Sequence, residues 1–505
     1  MIDKNFYEKN INVLKIRFPH IAKKIENADC SHNYINIQYS KTGIPLPCFK
    51  NGNILHSKYN PKKEAERLFS KNEAFVLFCG FGAGIHIRYF LNNFKDNYCA
   101  VSESNLPDLK SLLQQMDFTD IFLNSKFTLL PCLDENEFEN ELIQTYIPVL
   151  HGNFEVKFLR PWENYYEDFL PRFSKKIQNA LTKIKNDTAT QASFGKIWMR
   201  NILLNLKTAS KISPELPKTD TSKTAYILGA GPSLEYTFDE IKQKRECFVL
   251  FAADTAFQVL TAQNIIPDFF ISIDPQTVSY SHCFRPFNTH TTGIFDLCAN
   301  PLTVRNFLQN GNEFFFTAGG HPFTQYAAAF SPFPYCDTST GTVAGAAKYA
   351  ALALKFKTLK FGGLDFAYTN GKAYSRGTYL SKHFFKSAYK NSPAETKFCE
   401  LMFRTNTQKK IESGKITYKT ELLDSYSASF NLKKDVSEWH NADFKNFPYA
   451  DFIFKLKQDS KKNNKNLKTA FLPYLTFKSK MVYTKKDNFL NLELALSDIL
   501  EYTIK

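Results

Sequence analysis

The pattern of apolar and polar positions divides the chain into short buried runs that alternate with helical segments. Residues 74–79 and 225–228 are apolar runs, and each ends in a glycine-rich turn that precedes residues of helical spacing. A continuous apolar run of this length indicates a strand buried on both faces, as in a parallel sheet. We therefore predict two strand-loop-helix units, one near residue 80 and one near residue 230.

Further short apolar runs follow the second unit, and most of them end in a small or acidic residue. They are CFVLFAAD, DFFISID, TGIFD, EFFFTA and TLKFGGLDFA. Between the two units, residues 155–208 show helical spacing and predict no strand. The fold class predicted from this pattern is α/β, with two Rossmann-like parallel-sheet domains that are joined and followed by helical segments.

The same pattern predicts four segments. They are an N-terminal α/β domain with a Gly-rich loop (1–153), a helical connector (154–222), a central Rossmann-like domain (223–385) and a mostly helical C-terminal region (386–505). The polar, Pro-containing stretch KISPELPKTDTSKT is the best linker candidate.

Composition and charge exclude several classes of protein. The 505 residues carry a net charge of +15, but a solvated Lys-rich loop near residues 455–468 explains part of this excess as well as a nucleic-acid surface does. No nucleic-acid-binding motif accompanies the charge, so we expect no nucleic-acid partner. No apolar run approaches a membrane span and the N-terminus is polar, which predicts a cytoplasmic protein. The cysteines form no C-x-x-C pair and predict no metal site.

The first glycine-rich turn, GFGAGIH, could hold an anion at a helix N-terminus. Gly80, Gly82 and Gly84 allow a tight turn, and Glu103 lies about twenty residues on, where dinucleotide-binding folds place a ribose-binding acid. Alternatively, the glycines merely allow close packing of helix and strand. The motif alone does not separate these two interpretations.

The second turn, GAGPSL, is the more specific signal. Gly229 and Gly231 let the backbone approach a ligand, Pro232 fixes φ, and Ser233 adds a hydroxyl at the helix start. Alternatively, Ser233 is an N-cap and Pro232 an early-turn residue. The motif lacks the Lys of a P-loop ATPase.

Acidic residues follow several of the predicted strands in this half of the chain. Asp254, Asp274 and Asp365 each come at or just after the end of an apolar run, where each could also cap a helix. Because parallel strands end at one edge of a sheet, we expect the three carboxylates to converge beside GAGPSL. They could accept from ribose hydroxyls or ligate Mg²⁺.

Two more segments offer polar groups to the same cleft. Thr340 and Thr342 lie at another predicted helix N-terminus, suited to phosphate or carboxylate. Tyr368, Lys372 and Tyr374 follow Asp365 on a predicted loop, where they could hold a phosphate leaving group or simply be exposed.

At these residues the sequence resembles the bacterial motility-associated factor (Maf) family of flagellin glycosyltransferases. The matching pieces, in the family's order, are GAGPSL, AADTAF, IIPDFFISID, STGTVAGAAKYAAL and GGLDFAYTNGKAYSRGT. Upstream, LHSKYNPKKEA, FCGFGAGIH and WMRNILLNL also resemble the family.

The resemblance implies transfer of a nonulosonic, sialic-acid-like sugar from a CMP-activated donor to Ser or Thr hydroxyls of flagellin. The central domain is similar to bacterial sialyltransferases, whose comparable loop holds the nucleotide. The implied catalytic residues are Asp274, Asp365 and Tyr374, and no cofactor is required. Family members commonly have His where this chain has Tyr374, so no role of that His is carried over.

The central domain is also similar to an archaeal-type 6-hydroxymethylpterin diphosphokinase, called MptE-like. In that alternative, ATP is the donor, and Asp254, Asp274 and Asp365 are Mg²⁺ ligands. A third interpretation is a non-catalytic flagellin-binding factor, for which replacing Ser233 or Asp274 leaves motility intact.

Overall fold

The computed structural model describes residues 4–31, 33–69, 74–283, 287–288, 290–412, 415–432, 435–481 and 490–504. The chain divides into two units, Met1–Thr190 and Gln191–Lys505. Within the described ranges, none of the helices has the length and apolarity needed to cross a lipid bilayer.

The first unit is built on a four-stranded parallel sheet. Its elements are α1 (Lys4–Arg17), α2 (Pro19–Asn27), β1 (Tyr34–Tyr39), β2 (Pro45–Phe49), α3 (Pro61–Arg67), β3 (Phe75–Cys79), α4 (Ile85–Asn93), β4 (Tyr98–Ser102), α5 (Leu106–Gln115), α6 (Thr119–Leu123), β5 (Phe127–Leu129), α7 (Phe138–Thr145), α8 (Pro148–His151), β6 (Phe154–Phe158), α9 (Arg160–Tyr165) and the start of α10 (Leu170–Ala209). The strand order is β5-β4-β3-β6, while β1 and β2 form a separate antiparallel pair. Every residue of β3 is buried, which explains its continuous apolar sequence.

Strand β6 corrects the expectation that the segment 155–208 contains no strand. It pairs in parallel with β3, with Phe154 opposite Phe75. Its sequence, FEVKF, alternates apolar and charged residues because every one of its side chains is only half-buried. This alternation is typical of a strand, but it covers only five residues directly before a long helical pattern, and it was therefore missed.

Helix α10 contributes to both units. The division between the units falls within it, at 190/191. Met199, Ile202, Leu203 and Leu206 in its C-terminal half are buried. The end of the predicted helical connector therefore packs as part of the second unit.

The second unit is built on a six-stranded parallel sheet. Its elements after α10 are β7 (Thr224–Leu228), α11 (Phe238–Gln243), β8 (Phe248–Ala253), α12 (Asp254–Ala262), β9 (Phe269–Ser272), β10 (Thr292–Asp296), α13 (Pro301–Gln309), β11 (Phe314–Thr317), α14 (Pro322–Phe330), α15 (Val343–Ala353), β12 (Leu359–Gly362), β13 (Tyr368–Thr369), α16 (Tyr379–Lys386), α17 (Ala394–Met402), β14 (Gln408–Glu412), β15 (Lys415–Lys419), α18 (Glu421–Asn431), α19 (Tyr449–Lys461), α20 (Lys465–Met481) and α21 (Leu492–Ile504).

The order of the six strands is β11-β10-β9-β8-β7-β12. The chain moves outward from β7 to β11 and then returns to place β12 on the other side of β7. Helix α15 packs on one face, against Ile227 and Phe251, while α11 and α12 pack on the other, against Tyr226 and Leu250. The predicted fold class, with two Rossmann-like parallel-sheet units, is confirmed.

The C-terminal region contains strands as well as helices. Strands β14 and β15 form an antiparallel hairpin, and β13 pairs with β15. This small sheet lies partly in the segment predicted to be mostly helical. It also makes Tyr368 part of a strand, not of the loop that the sequence predicted.

Candidate functional site

The predicted site residues of the second unit meet at the carboxyl edge of the six-stranded sheet. The GAGPSL turn follows β7, Asp254 follows β8, Asp274 follows β9 and Asp365 follows β12. Because all six strands are parallel, these four ends share one edge. Strands β7 and β12 are adjacent where the strand order reverses, the usual ligand position in such sheets.

The glycines of the second turn bring two loops together. The Gly229 and Gly231 amides donate to the carbonyl oxygens of Gly362 and Gly363 at 2.9 and 2.8 Å. A Cβ on Gly231 would collide with the Asp365 carboxylate, and one on Gly229 would collide with Leu364. These amides are therefore used within the fold, and a substitution at Gly231 would disturb this packing as well as any ligand.

Asp365 holds the start of the short 3₁₀ helix Pro232–Thr237. Its Oδ2 accepts the Ser233 amide at 3.1 Å and the Ser233 hydroxyl at 2.9 Å. The Ser233 hydroxyl is thus already bonded within the chain. Ser233 is also not the N-cap of this 3₁₀ helix, because Gly231 holds that position. The chain's own carboxylate occupies the position that the sequence assigned to a ligand anion.

Lys372 is engaged in the same loop pair. Its ammonium lies 3.0 Å from Glu235 Oε2, and Glu235 Oε1 accepts the Arg376 amide at 2.9 Å. The Ser375 amide donates to Ala230 at 2.9 Å. These contacts fix residues 372–376 against the turn, so a phosphate would share Lys372 with Glu235.

Asp254 is buried beside the strand ends. Its Oδ2 accepts the Ser272 hydroxyl at 2.8 Å and its Oδ1 accepts the Thr255 amide at 2.7 Å. Burial raises the pKa of Asp254 to about 7, and the nearby charge of Asp274 adds to this effect. Asp254 is therefore partly protonated at neutral pH.

Asp274 is the more accessible carboxylate of this pair. It is half-buried, and its Oδ1 accepts the Gln276 amide at 2.8 Å. Burial raises the pKa of Asp274 above that of an ordinary Asp. A solvent-reachable carboxylate with a raised pKa is suited to accept a proton from a substrate hydroxyl.

Tyr374 lies half-buried near the same edge. Burial raises the pKa of its hydroxyl, which also experiences the charges of Tyr368, Arg404, Tyr426 and Asp254. Arg404 and Tyr426 come from the C-terminal region. Neither residue was predicted from the sequence, because no local pattern around Arg404 or Tyr426 indicates that it lies near Tyr374.

Thr340 and Thr342 serve the start of α15. The Thr342 hydroxyl accepts the Gly345 amide at 3.1 Å as an N-cap. Thr340 is buried, and its hydroxyl donates to the Thr342 carbonyl at 3.4 Å. Their hydroxyls therefore stabilise the helix, and anion binding by them stays a prediction.

Asp296, at the end of β10, is a strand-end carboxylate that was not singled out. It is 3% exposed, and its Oδ1 accepts the Cys298 amide at 2.7 Å. Among the described residues its Oδ2 has no hydrogen-bond partner. Burial raises its pKa to about 6. The sequence could have indicated Asp296, because the apolar run TGIFD ends in an acidic residue as CFVLFAAD and DFFISID do.

Two buried or half-buried histidines of the second unit, His282 and His321, are neutral at pH 7. Burial lowers the pKa of both side chains to about 4. The His321 Nδ1 accepts the Phe323 amide at 3.1 Å, which places His321 at the N-cap of α14. Neither histidine was assigned a catalytic role from the sequence.

The glycine-rich turn of the first unit is filled by the chain itself. A Cβ on Gly80 would lie 2.6 Å from Trp162, and one on Gly82 would collide with His56. The Ala83 amide donates to His56 Nε2 at 3.0 Å. Gly84 precedes α4 with φ 70°, where glycine is favoured. These contacts support the packing interpretation of the turn over the anion-binding one.

Glu103 is buried beneath this turn and does not face a ribose. Its Oε2 accepts the Phe81 amide at 3.1 Å, and its Oε1 accepts the Trp162 indole at 2.7 Å and the Ser104 amide at 3.0 Å. Burial raises its pKa from 4.5 to about 7, against the opposing effect of these donors. Nucleotide binding by Glu103 is thus opposed by its internal pairing.

The raised pKa of Glu103 predicts a pH-dependent stability of the first unit. Between pH 4.5 and 7 the folded state binds more protons at Glu103 than the unfolded state does, so stability falls as pH rises. The expected loss is at most about 3 kcal/mol. Urea unfolding at pH 5 and pH 7 measures it, with Glu103→Gln as the comparison. Equal pH dependence in the two proteins would contradict the assignment.

The first unit contains a groove lined by residues from several of its helices and strands. It has a volume of about 1720 Å³ and is bordered by residues of α1, β1, β2, α3, α4 and α5. Lys62, Lys63 and Arg88 line it.

Two uncharacterized proteins of one bacterium are similar to parts of this chain. An uncharacterized protein of Treponema pallidum (strain Nichols) is 43% identical over 244 residues, which are 48% of this chain and 87% of that protein. The chain belongs to one family with this protein. A second uncharacterized protein of the same organism is 41% identical over 175 residues, 34% of this chain and 83% of that protein.

Two further comparisons concern the fold. The profile of a family described as 6-hydroxymethylpterin diphosphokinase MptE-like matches residues 199–371. The structure of MAf glycosyltransferase from Magnetospirillum magneticum AMB-1 is similar with a TM-score of 0.52 and 13% identity, over 100% of this chain and 91% of that chain. The predicted resemblance to the Maf family is confirmed as a likeness of fold.

Proposed function

We propose that this protein is a glycosyltransferase that moves a nonulosonic sugar from a CMP-activated donor to Ser or Thr hydroxyls of flagellin. The observation that carries the proposal is the pair Asp254 and Asp274 beside the GAGPSL turn, at the carboxyl edge of a sheet whose chain shares its fold with a Maf glycosyltransferase. The choice of CMP donor and flagellin acceptor rests on the motif resemblance. The fold likeness supports the glycosyltransferase class.

In this proposal the donor lies where the strand order reverses between β7 and β12. The loop amides of Gly229, Gly231 and Ser233 are already bonded, so they shape this crevice and do not bind the phosphate. Positive charge for the leaving phosphate comes from Arg404 and Lys372, with the Tyr374 hydroxyl as a further donor. Such groups stabilise charge that develops as the bond to the donor breaks.

The proposed chemistry is a single displacement. Asp274 takes the proton of the acceptor hydroxyl, whose oxygen attacks the anomeric carbon. The bond from that carbon to the phosphate oxygen breaks, and CMP leaves with the electron pair. Burial, which raises the pKa of Asp274, favours this proton uptake. The scheme requires no cofactor.

The second candidate is a 6-hydroxymethylpterin diphosphokinase-like enzyme that uses ATP, which the MptE-like match favours. Its Mg²⁺ would be held by Asp254, Asp274 and Asp365. The three carboxylates do not fit this role together, because the Asp365 carboxylate, which follows β12, already accepts a hydrogen bond from the Ser233 hydroxyl. Among the described residues, no three His, Cys, Asp or Glu side chains form a group that could hold a metal ion. We therefore derive no step through Mg²⁺.

A thermal-shift titration separates these functions. We expect CMP to stabilise the protein without Mg²⁺, because a ligand at about 100 times its Kd adds about 2.7 kcal/mol to the free energy of unfolding. UMP is the control for recognition of the base. ATP with and without Mg²⁺ tests the alternative.

Each outcome decides between the candidates. Stabilisation by ATP only with Mg²⁺ would replace the glycosyltransferase by the diphosphokinase. Absence of any nucleotide effect, together with normal motility of an Asp274→Asn strain, would leave the non-catalytic flagellin-binding factor.

A further inference from the structure

Two asparagines of α10 contact the loops at the carboxyl edge of the sheet. Asn201 and Asn205 lie one helical turn apart and are 2% and 0% exposed. The Asn201 Nδ2 donates to the carbonyls of Pro275 and Cys298 at 3.0 and 3.1 Å. Both asparagines belong to the sequence motif WMRNILLNL, to which the proposed chemistry assigns no role.

Asn205 makes the corresponding contacts one turn further on. Its Nδ2 donates to the carbonyls of Leu297 and Ala299 at 2.9 and 2.8 Å. Residues at i and i+4 share one face of a helix, so the two carboxamides act side by side. Each uses both of its N–H groups on backbone oxygens.

The bonded carbonyls belong to the two loops that carry acidic residues. Pro275 directly follows Asp274, and Leu297 directly follows Asp296. Asn201 thus joins the loop after β9 to the loop after β10. Buried carbonyls need such partners, so the four bonds restrict where these loops lie.

Asn300, in the loop after β10, also bonds to the loop after β9. Its amide donates to the Asp274 carbonyl at 3.1 Å, and its Nδ2 donates to the Gln276 carbonyl at 2.9 Å. The three successive carbonyls of Asp274, Pro275 and Gln276 are therefore all held by asparagines. A carboxylate held in this way is oriented before any substrate arrives.

We propose that Asn201 and Asn205 are positioning residues for Asp274, which makes the end of α10 a part of the active site. This inference rests on the proposed function, in which Asp274 takes the proton of the acceptor. A misplacement of about 1 Å can cost about 100-fold in rate. Loss of the two carboxamides leaves the loops free to move by such amounts.

The second unit contains a matched control at the other edge of the same sheet. Asn312 is 6% exposed, and its Nδ2 donates to the carbonyls of Asn288 and Thr291 at 2.6 and 2.9 Å. Like Asn205, its Oδ1 has no partner among the described residues. It therefore reproduces the burial and the bonding of Asn205 away from the acidic edge.

The test compares Asn201→Leu and Asn205→Leu with Asn312→Leu in the full-length protein. We expect kcat to fall about 10- to 100-fold in the first two, with the donor KM changed by less than about threefold. All three should lose thermal stability, but Asn312→Leu should keep the wild-type kcat per folded molecule. The acid limb of the kcat–pH profile should shift only in the first two. Asn201→Ser is a milder variant if the Leu variants do not fold.

Hydrogen exchange provides a readout that needs no activity. We expect faster exchange in residues 274–282 and 296–302 of the Asn201 and Asn205 variants, and unchanged exchange there in Asn312→Leu. Equal kcat values and equal exchange in all three variants would overturn the proposal. A wild-type protein without nucleotide binding or transfer would instead overturn the proposed function, while exchange would still report on the asparagine contacts.

Discussion

Asp274→Asn is expected to lower the rate of sugar transfer by about 10²- to 10⁴-fold while CMP binding stays within about threefold of wild type. The amide cannot accept the proton of the acceptor hydroxyl, but it has nearly the same shape as the carboxylate. The Gln276 amide can still donate to the remaining carbonyl oxygen, as it does to Oδ1 at 2.8 Å. Initial rates with a CMP-activated donor and purified flagellin measure the effect.

The matched control for Asp274 lies at the other end of β9. Asp268 precedes this strand and accepts from Arg245 and from the Leu250 amide, at 2.8 and 2.7 Å. Asp268→Asn should lower stability and keep the transfer rate. An Asp274→Asn protein that transfers at the wild-type rate would exclude Asp274 as the proton acceptor.

Trp162→Ala is expected to destabilise the first unit by about 3–5 kcal/mol. The Trp162 side chain is fully buried against Gly80, and its indole donates to Glu103 at 2.7 Å. Its removal leaves a cavity under the turn and takes a donor from a buried carboxylate, and both effects lower stability. Urea-dependent hydrogen exchange of β3 in the full chain measures the first unit by itself.

Trp162→Phe is the milder variant. It keeps an aromatic ring under Gly80 but removes the donor to Glu103 and part of the ring volume, so a smaller loss of about 1–3 kcal/mol is expected. Wild-type stability of Trp162→Ala would show that the turn does not depend on this packing. The anion-binding interpretation of the turn would then regain its support.

Parts of the fold were predictable because burial shows directly in a local sequence. Strand β3 and strand β7 are runs of apolar residues that end in glycines, and both were predicted with their turns. Strand β6 was missed because its alternation covers only five residues directly before a long helical pattern. The β14–β15 hairpin was missed because its strands carry several lysines, so no apolar run marks them.

The candidate site was likewise predictable in part: the position of its acidic residues could be predicted from the sequence, but their contacts could not. Asp254, Asp274 and Asp365 were placed at one edge because parallel strands end together. Their different roles were not visible, because Ser233 and Asp365 are 132 residues apart in sequence and meet only in the folded chain. The contacts of Asn201 with Pro275 and Cys298 likewise join segments 74 and 97 residues apart.

The sequence by itself determined the two parallel-sheet units, the glycine turns and the edge that collects the acidic residues, since these follow from local apolar patterning and from strand direction. The tertiary structure alone decided which of those groups remain available to a ligand. Glu103 is paired with Trp162 and Asp365 with Ser233, whereas Asp274 stays reachable by solvent. The physical reason is that hydrogen-bond pairing and burial depend on contacts between distant segments, which local patterns do not record.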